Sequence, residues 1–211
     1  MKTEALIDML ACNAGPAPRA LVARRLTPAV IAGLLASAWA AITWFGLIPG
    51  SLFSTHVPWT KMAYAGALAA AAGWWAVQLS RPAAPSARAR VAVIAVMLAM
   101  SAIGLISWLS EPADARMAAL LGHSWFSCPP SVLALSLPAL AAALWALRGL
   151  APTRPHAAGF AAGLLAGSVG AFGYAFSCPE ASAAFIAAWY SLGIVLTGAV
   201  GAVLGPRVLR W

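Results

Sequence analysis

The sequence predicts an all-α polytopic membrane protein with six transmembrane helices and both termini in the cytoplasm. Three observations predict this fold class: an apolar composition, six apolar stretches of membrane-spanning length, and an uneven distribution of basic residues. Hydrophobic residues make up 63% of the chain and charged residues only 9%, far outside the range of soluble globular domains. The net charge of +8 is spread between the apolar stretches, so direct binding to nucleic acid is not expected.

Six apolar stretches of roughly 18 to 25 residues are each long enough to cross a hydrocarbon core ~30 Å thick. Thr27-Pro28 predicts an N-cap followed by proline in the first helical position, and Pro49-Gly50 predicts the end of the same helix. Glu111-Pro112 and Arg148-Gly149 predict the ends of the third and fourth helices. The predicted spans are 28-48, 61-80, 91-110, 129-147, 158-177 and 183-204, within a membrane domain 28-206 between a cytoplasmic segment 1-27 and a cytoplasmic tail 207-211.

The basic residues predict the orientation of these helices. One side of the predicted membrane holds only Lys61 and Arg116. The other side holds Lys2, Arg19, Arg24, Arg25, Arg81, Arg88, Arg90, Arg148, Arg154, Arg207 and Arg210. Because cytoplasmic loops carry the excess of Lys and Arg, both termini are expected in the cytoplasm of a bacterium, with the chain crossing the inner membrane several times.

The sequence lacks several features that would indicate a transporter or an enzyme. No ionisable residue lies in the middle of a predicted span, whereas ion-coupled transporters usually place such groups there. A phosphate-binding glycine loop, a His-Glu-x-x-His motif and a Ser/His/Asp set are also absent from the sequence. We therefore expect no enzymatic activity, no catalytic residues, no resident metal and no cofactor.

The fifth predicted span carries a series of glycines at helical spacing. Gly159, Gly163 and Gly167 are each four residues apart, and Gly170 and Gly173 follow. Small residues at this spacing let the backbones of two membrane helices approach closely. The series predicts close helix packing.

Two cysteines stand in a repeated string on the predicted outer side. Phe126-Ser127-Cys128-Pro129 recurs as Phe176-Ser177-Cys178-Pro179. Each proline is suited to the first turn of a helix, which would place each cysteine at or next to an N-cap, where the helix dipole favours the thiolate. Both thiols would then lie at a wet interface that faces an oxidising compartment.

Three interpretations of this cysteine pair stay open at this point. The first is a structural disulfide between the outer ends of the fourth and sixth helices. The second is a redox or thiol-reactive switch. The third is soft-metal binding with His123 or Glu180 as a further ligand, although two thiols and loosely spaced partners do not make a recognisable metal motif. Cys12, on the predicted cytoplasmic side, is interpreted as an ordinary free thiol.

The N-terminal segment predicts a short amphipathic helix. Residues Thr3 to Ala11 place Leu6, Ile7 and Leu10 on one face, and Gly15-Pro16-Ala17-Pro18 then ends the helix. The helix could lie on the membrane surface beside Arg19, Arg24 and Arg25. It could equally dock a soluble partner, because Glu4 and Asp8 would be repelled by anionic lipid headgroups.

Several of these features together resemble the NrsF-type anti-sigma factors of proteobacteria. The resemblance rests on Met1-Lys2-Thr3-Glu4 with Leu6-Ile7-Asp8, Trp59-Thr60-Lys61, Arg81-Pro82, and Ser-Cys-Pro at the start of the fourth and sixth helices. It covers essentially the whole chain.

The resemblance implies a six-helix membrane protein that holds an extracytoplasmic-function sigma factor inactive and releases it under stress. On this basis the partners are that sigma factor and the lipid bilayer. Cys128 and Cys178 become the sensing pair, and Leu6, Ile7, Asp8 and Leu10 become the sigma-factor contacts. Cytoplasmic Arg88, Arg90 and Arg154 could share the binding surface.

This resemblance predicts that thiol modification repacks the helices and weakens the hold on the sigma factor, provided that two packings with different affinities exist. The alternative from a different class is a membrane thiol oxidoreductase or small-solute carrier, in which the cysteines act on a substrate. An oxidoreductase would tolerate loss of residues 1-25, whereas an anti-sigma factor would not.

Overall fold

The computed structural model describes residues 3–13, 21–81, 84–150 and 152–210, and every regular element within these ranges is helical. The chain also makes a 3-10 turn at Gly50–Ser54, and the last helix contains one π-helical turn at Ile186–Tyr190. The helices are α1 (Thr3–Asn13), α2 (Leu21–Phe45), α3 (Val57–Leu79), α4 (Ala87–Ser110), α5 (Arg116–Leu121), α6 (Cys128–Arg148), α7 (Pro155–Tyr174) and α8 (Ala183–Val208).

Six long helices occupy the six predicted stretches. Five of them, α2, α4, α6, α7 and α8, are long and apolar enough to cross a membrane. The sixth, α3, has 23 residues, but Tyr64 and Gln78 make it less apolar. On α4, long apolar side chains such as Val91, Leu98 and Ile106 are exposed, which is compatible with a face in contact with lipid.

The prediction for the start and end of the first long helix is wrong. Helix α2 begins at Leu21, so Pro28 lies inside the helix rather than in its first position. Val22 and Leu26 are both buried, and this packing stabilises the turns before the proline despite the hydrogen bond that a proline removes. The helix ends at Phe45 because Gly46 adopts a positive φ of 77°, before the predicted stop at Pro49-Gly50.

Helix α7 lies at the centre of the bundle and packs against α2, α3, α6 and α8. Its glycines determine how closely the backbones of these helices approach. A Cβ on Gly163 would lie 2.7 Å from the Gly198 Cα, and a Cβ on Gly167 would lie 2.9 Å from the Ile194 Cα. The structure confirms the prediction that this series serves close helix packing.

We expect Gly163→Ala to lower the stability of the bundle by roughly 2 kcal/mol, because the added methyl would force α7 and α8 apart. The measurement is the unfolding temperature of the purified protein in detergent. Gly73→Ala is the matched control, since its Cβ would meet only the Leu165 Cδ1 at 3.7 Å. Equal unfolding temperatures for the two variants would contradict this packing.

Candidate functional site

Cys128 begins α6, as the sequence predicts. Its backbone N–H donates to the Ser124 carbonyl oxygen at 2.8 Å, and Ser127 is the N-cap. Pro129 stands in the first turn, where the missing N–H of proline leaves no helical bond unmade. The thiol is fully buried.

Cys178 does not lie at the start of a helix, and this prediction is wrong. Its N–H donates to the Tyr174 carbonyl oxygen at 3.0 Å, which places it just after the turn that follows α7. The N-cap of α8 is Ser182, whose hydroxyl accepts a hydrogen bond from the Phe185 N–H at 3.5 Å. Pro179 therefore lies in the connection between α7 and α8. Helix α8 begins only at Ala183, where the Ser182 side chain supplies the N-cap.

The structure brings the two cysteines together in the interior rather than at a wet interface. Cys128 and Cys178 are 0% and 1% exposed. Their thiols lie within electrostatic reach of each other, and both are free thiols in the part of the chain that the structure describes. The end of the bundle that contains them is called the cysteine end below.

A buried lysine completes this arrangement, and sequence reasoning did not assign it to the site. Lys61, in α3, is 1% exposed, and its Nζ donates to the Cys178 carbonyl oxygen at 2.7 Å. The ammonium also lies 6.0 Å from the centre of the Tyr190 ring, which is cation–π geometry. The signal in the sequence was its position as one of only two basic residues on the predicted outer side.

Two tyrosines enclose the lysine and the thiols. Tyr190 is fully buried within the π-helical turn of α8, and the rings of Tyr174 and Tyr190 stand 6.0 Å apart. Turns of this kind occur often at functional sites. Within the described residues, neither the Tyr190 hydroxyl nor the Ser177 hydroxyl has a hydrogen-bond partner.

Glu180 holds the connection between α7 and α8 against the segment before α6. Its Oε1 accepts hydrogen bonds from the N–H groups of His123 and Ser124, at 2.8 and 3.0 Å, and from the Ser124 hydroxyl at 3.0 Å. Gly122 beside it has a φ of 58°, and a Cβ there would lie 2.5 Å from the Glu180 Oε2. Only glycine fits this position without strain.

The geometry gives no support to the metal-binding interpretation. The Glu180 carboxylate already accepts three hydrogen bonds from the loop, and His123 takes part through its backbone while its side chain is exposed. Across residues 3–13, 21–81, 84–150 and 152–210, no group of three or more His, Cys, Asp or Glu side chains could hold a metal ion.

The N-terminal segment forms the predicted helix, α1, which extends to Asn13. Leu6, Ile7 and Leu10 are 43%, 59% and 64% exposed, and Asp8 is exposed beside them. The predicted break at Gly15-Pro16-Ala17-Pro18 lies outside the described residues. An apolar stripe of this kind has the pattern of a helix that docks into a groove or onto a membrane surface.

At the end opposite the cysteine end, arginines from three elements line one cleft. Arg81 follows α3, Arg90 lies in the first turn of α4, and Arg154 precedes α7. Two of the three predicted basic contacts, Arg90 and Arg154, thus share a surface, whereas Arg88 does not line the cleft. This group is called the arginine cleft below.

A bundle with five helices long and apolar enough to cross a membrane, a buried polar cluster at one end and an arginine cleft at the other is compatible with a polytopic helical membrane protein. The particular family is given by sequence comparison: the chain belongs to the NrsF family, described as negative regulator of sigma F, whose model matches residues 10–211.

Two relatives match this chain over its whole length and over their own. The chain is 41% identical over 217 residues to the anti-sigma-F factor NrsF of Caulobacter vibrioides (strain NA1000 / CB15N). It is 38% identical over 216 residues to the probable anti-sigma-F factor NrsF of Azospira oryzae (strain ATCC BAA-33 / DSM 13638 / PS). No solved structure matches the chain.

Proposed function

We propose that this protein is an inner-membrane anti-sigma factor that sequesters an extracytoplasmic-function sigma factor and releases it when Cys128 and Cys178 are modified. The observation that carries the proposal is similarity over the full length of both chains to a protein named as an anti-sigma-F factor. A match of this extent spans the N-terminal helix as well as the bundle, so a shared binding task explains it better than a shared fold alone.

Helix α1 is the proposed contact for the sigma factor. Its apolar stripe of Leu6, Ile7 and Leu10 is exposed, and burial of such side chains would supply the main favourable term in binding. Asp8, next to the stripe, favours a protein partner over an anionic membrane surface. The arginine cleft provides a second contact of opposite charge, which would select a sigma-factor surface carrying acidic side chains.

The proposed signal starts at the thiol pair. With a peroxide as the oxidant, two thiols would give one disulfide and two molecules of water. A new covalent bond between Cys128, at the start of α6, and Cys178, in the connection after α7, would move that connection. Because Lys61 and Glu180 attach this connection to α3 and to the segment before α6, its movement would reach both elements.

Release then requires two packings of the bundle that bind the sigma factor differently. A change from 1:99 to 99:1 in their populations needs a difference of about 5.5 kcal/mol. Helix α7 contacts α2, α3, α6 and α8. Because closely packed helices shift as units rather than deform gradually, a shift at the cysteine end would also change the arginine cleft.

The experiment that tests this function is co-purification of the full-length chain, in detergent, with an extracytoplasmic-function sigma factor encoded beside it. We expect a stable complex that dissociates after peroxide treatment. Purification of the chain alone, with turnover of an added thiol substrate that survives deletion of residues 1-25, would instead support the oxidoreductase class.

The proposed topology places the cysteine end in the periplasm and both termini in the cytoplasm. We expect reporter fusions after residues 27, 86 and 211 to be cytoplasmic and fusions near residues 55 and 118 to be periplasmic, because the excess of Lys and Arg stays inside. Alkaline phosphatase and fluorescent-protein activities measure the two outcomes. A periplasmic fusion at residue 211 would contradict a six-span arrangement.

A further inference from the structure

Lys61 is buried, and among the residues that the structure describes no carboxylate forms an ion pair with it, although Glu180 lies within longer electrostatic reach. Its hydrogen bond goes to the neutral carbonyl of Cys178, and its other contact is the ring of Tyr190. A buried ammonium usually requires an anionic partner, since removing it from water costs several kcal/mol. The position is also unfavourable for a positive charge, because Lys61 lies near the N-terminus of α3, which is the positive end of the helix dipole.

Groups able to stabilise an anion lie close to Cys178. The Lys61 Nζ is 2.7 Å from the Cys178 carbonyl oxygen, and the Tyr190 hydroxyl, which has no hydrogen-bond partner among the described residues, lies within electrostatic reach of the Cys178 thiol. The Cys128 thiol and the Glu180 carboxylate also lie within electrostatic reach of the ammonium, and Tyr174 faces both thiols. A buried polar group without a partner calls for an explanation, and a thiolate at Cys178 would accept hydrogen bonds from both donors.

We infer that Lys61 is the positioning residue that allows the buried pair to react, because its ammonium stabilises the thiolate of Cys178. The inference rests on the proposed function and names the residue that makes its thiol pair usable as a sensor. Burial alone disfavours a thiolate, so a buried pair without a cation would remain inert. The ammonium of Lys61 counteracts that effect at Cys178, because charges interact more strongly inside a protein than in water.

The test is the rate of alkylation by iodoacetamide in the purified full-length chain, followed at each cysteine by mass spectrometry between pH 6 and pH 10. In this reaction the thiol proton goes to buffer, the sulfur forms a bond to carbon, and iodide leaves. We expect Lys61→Met to slow Cys178 roughly tenfold at pH 7.5 and to recover the wild-type rate at high pH, as a destabilised thiolate requires.

Three controls accompany this variant. Cys12 is exposed in α1, and its rate in the same molecules should be unchanged, which excludes an effect on the reagent. Lys61→Arg keeps the positive charge and should retain most of the Cys178 rate at pH 7.5. Tyr190→Phe keeps the ring and removes the hydroxyl, so it should slow Cys178 in the same direction by a smaller factor, and it tests the inference independently if Lys61→Met fails to fold.

A purely structural role for Lys61 predicts the opposite result. Loss of its hydrogen bond to the Cys178 carbonyl would loosen the connection and expose the thiol, so Lys61→Met would speed alkylation at every pH. Faster alkylation, or an unchanged rate in both Lys61→Met and Tyr190→Phe, would overturn the inference. The measurement needs no sigma factor, so a protein that fails to bind one would contradict the proposed function and leave this result intact.

Discussion

Replacing Leu6 and Leu10 together by glutamate is expected to release the sigma factor and leave its regulon fully switched on. Both side chains are exposed on α1 and form its apolar stripe. Loss of two leucine contacts of about 1.5–3 kcal/mol each would weaken binding by a factor of a hundred or more. A reporter from a sigma-dependent promoter measures the change, and detection of the variant in the membrane fraction shows that the protein still inserts.

The matched control places two glutamates on the opposite face of the same helix, at Ala5 and Cys12. Both positions are exposed, so the added charge is equal while the stripe stays intact. This control should keep repressing. If the stripe variant also represses while it is present in normal amount, the sigma-factor contact lies elsewhere, and the arginine cleft is the next surface to test.

The long helices could be predicted from the sequence because the bilayer requires about 20 apolar residues for each crossing. The predicted ends at Glu111 and Gly149 are confirmed, since both residues cap their helices. The continuation of α2 before Pro28 could not be predicted, because burial of Val22 and Leu26 stabilises it and that burial depends on residues distant in sequence. Helix α5 was also missed, since its six residues are too few to show a period.

The repeated tetrapeptide shows the limit of local sequence reasoning most clearly. Identical Phe-Ser-Cys-Pro strings have different conformations: Cys128 begins α6, whereas Cys178 lies in the connection after α7, which ends at Tyr174. The difference arises from the residues after each string. Glu180 accepts a hydrogen bond from the His123 N–H, which holds the chain in the connection, and α8 begins only at Ala183. Lys61 was missed for a related reason, as its partner Cys178 lies 117 residues further along the chain.

The largest effect on signalling is expected from Cys128→Ala and Cys178→Ala, each of which should abolish the response to peroxide while repression continues. Alanine suits these buried positions better than serine, since a buried hydroxyl without a partner adds its own cost. Each change should lower stability by only about 1 kcal/mol, because a small buried apolar group is lost. The reporter assay, run with and without peroxide, measures the response.

A structural disulfide predicts a different pattern from the same variants. Its loss would destabilise the protein by about 2–4 kcal/mol, deplete it from the membrane and raise reporter output without any oxidant. Protein amount must therefore be measured beside the reporter, because derepression alone does not separate lost protein from lost binding. Cys12→Ala is the control and should leave both amount and response unchanged. Cysteine variants that stay abundant and still respond fully would exclude the disulfide and the sensor alike, and the signal would then enter through another part of the cysteine end.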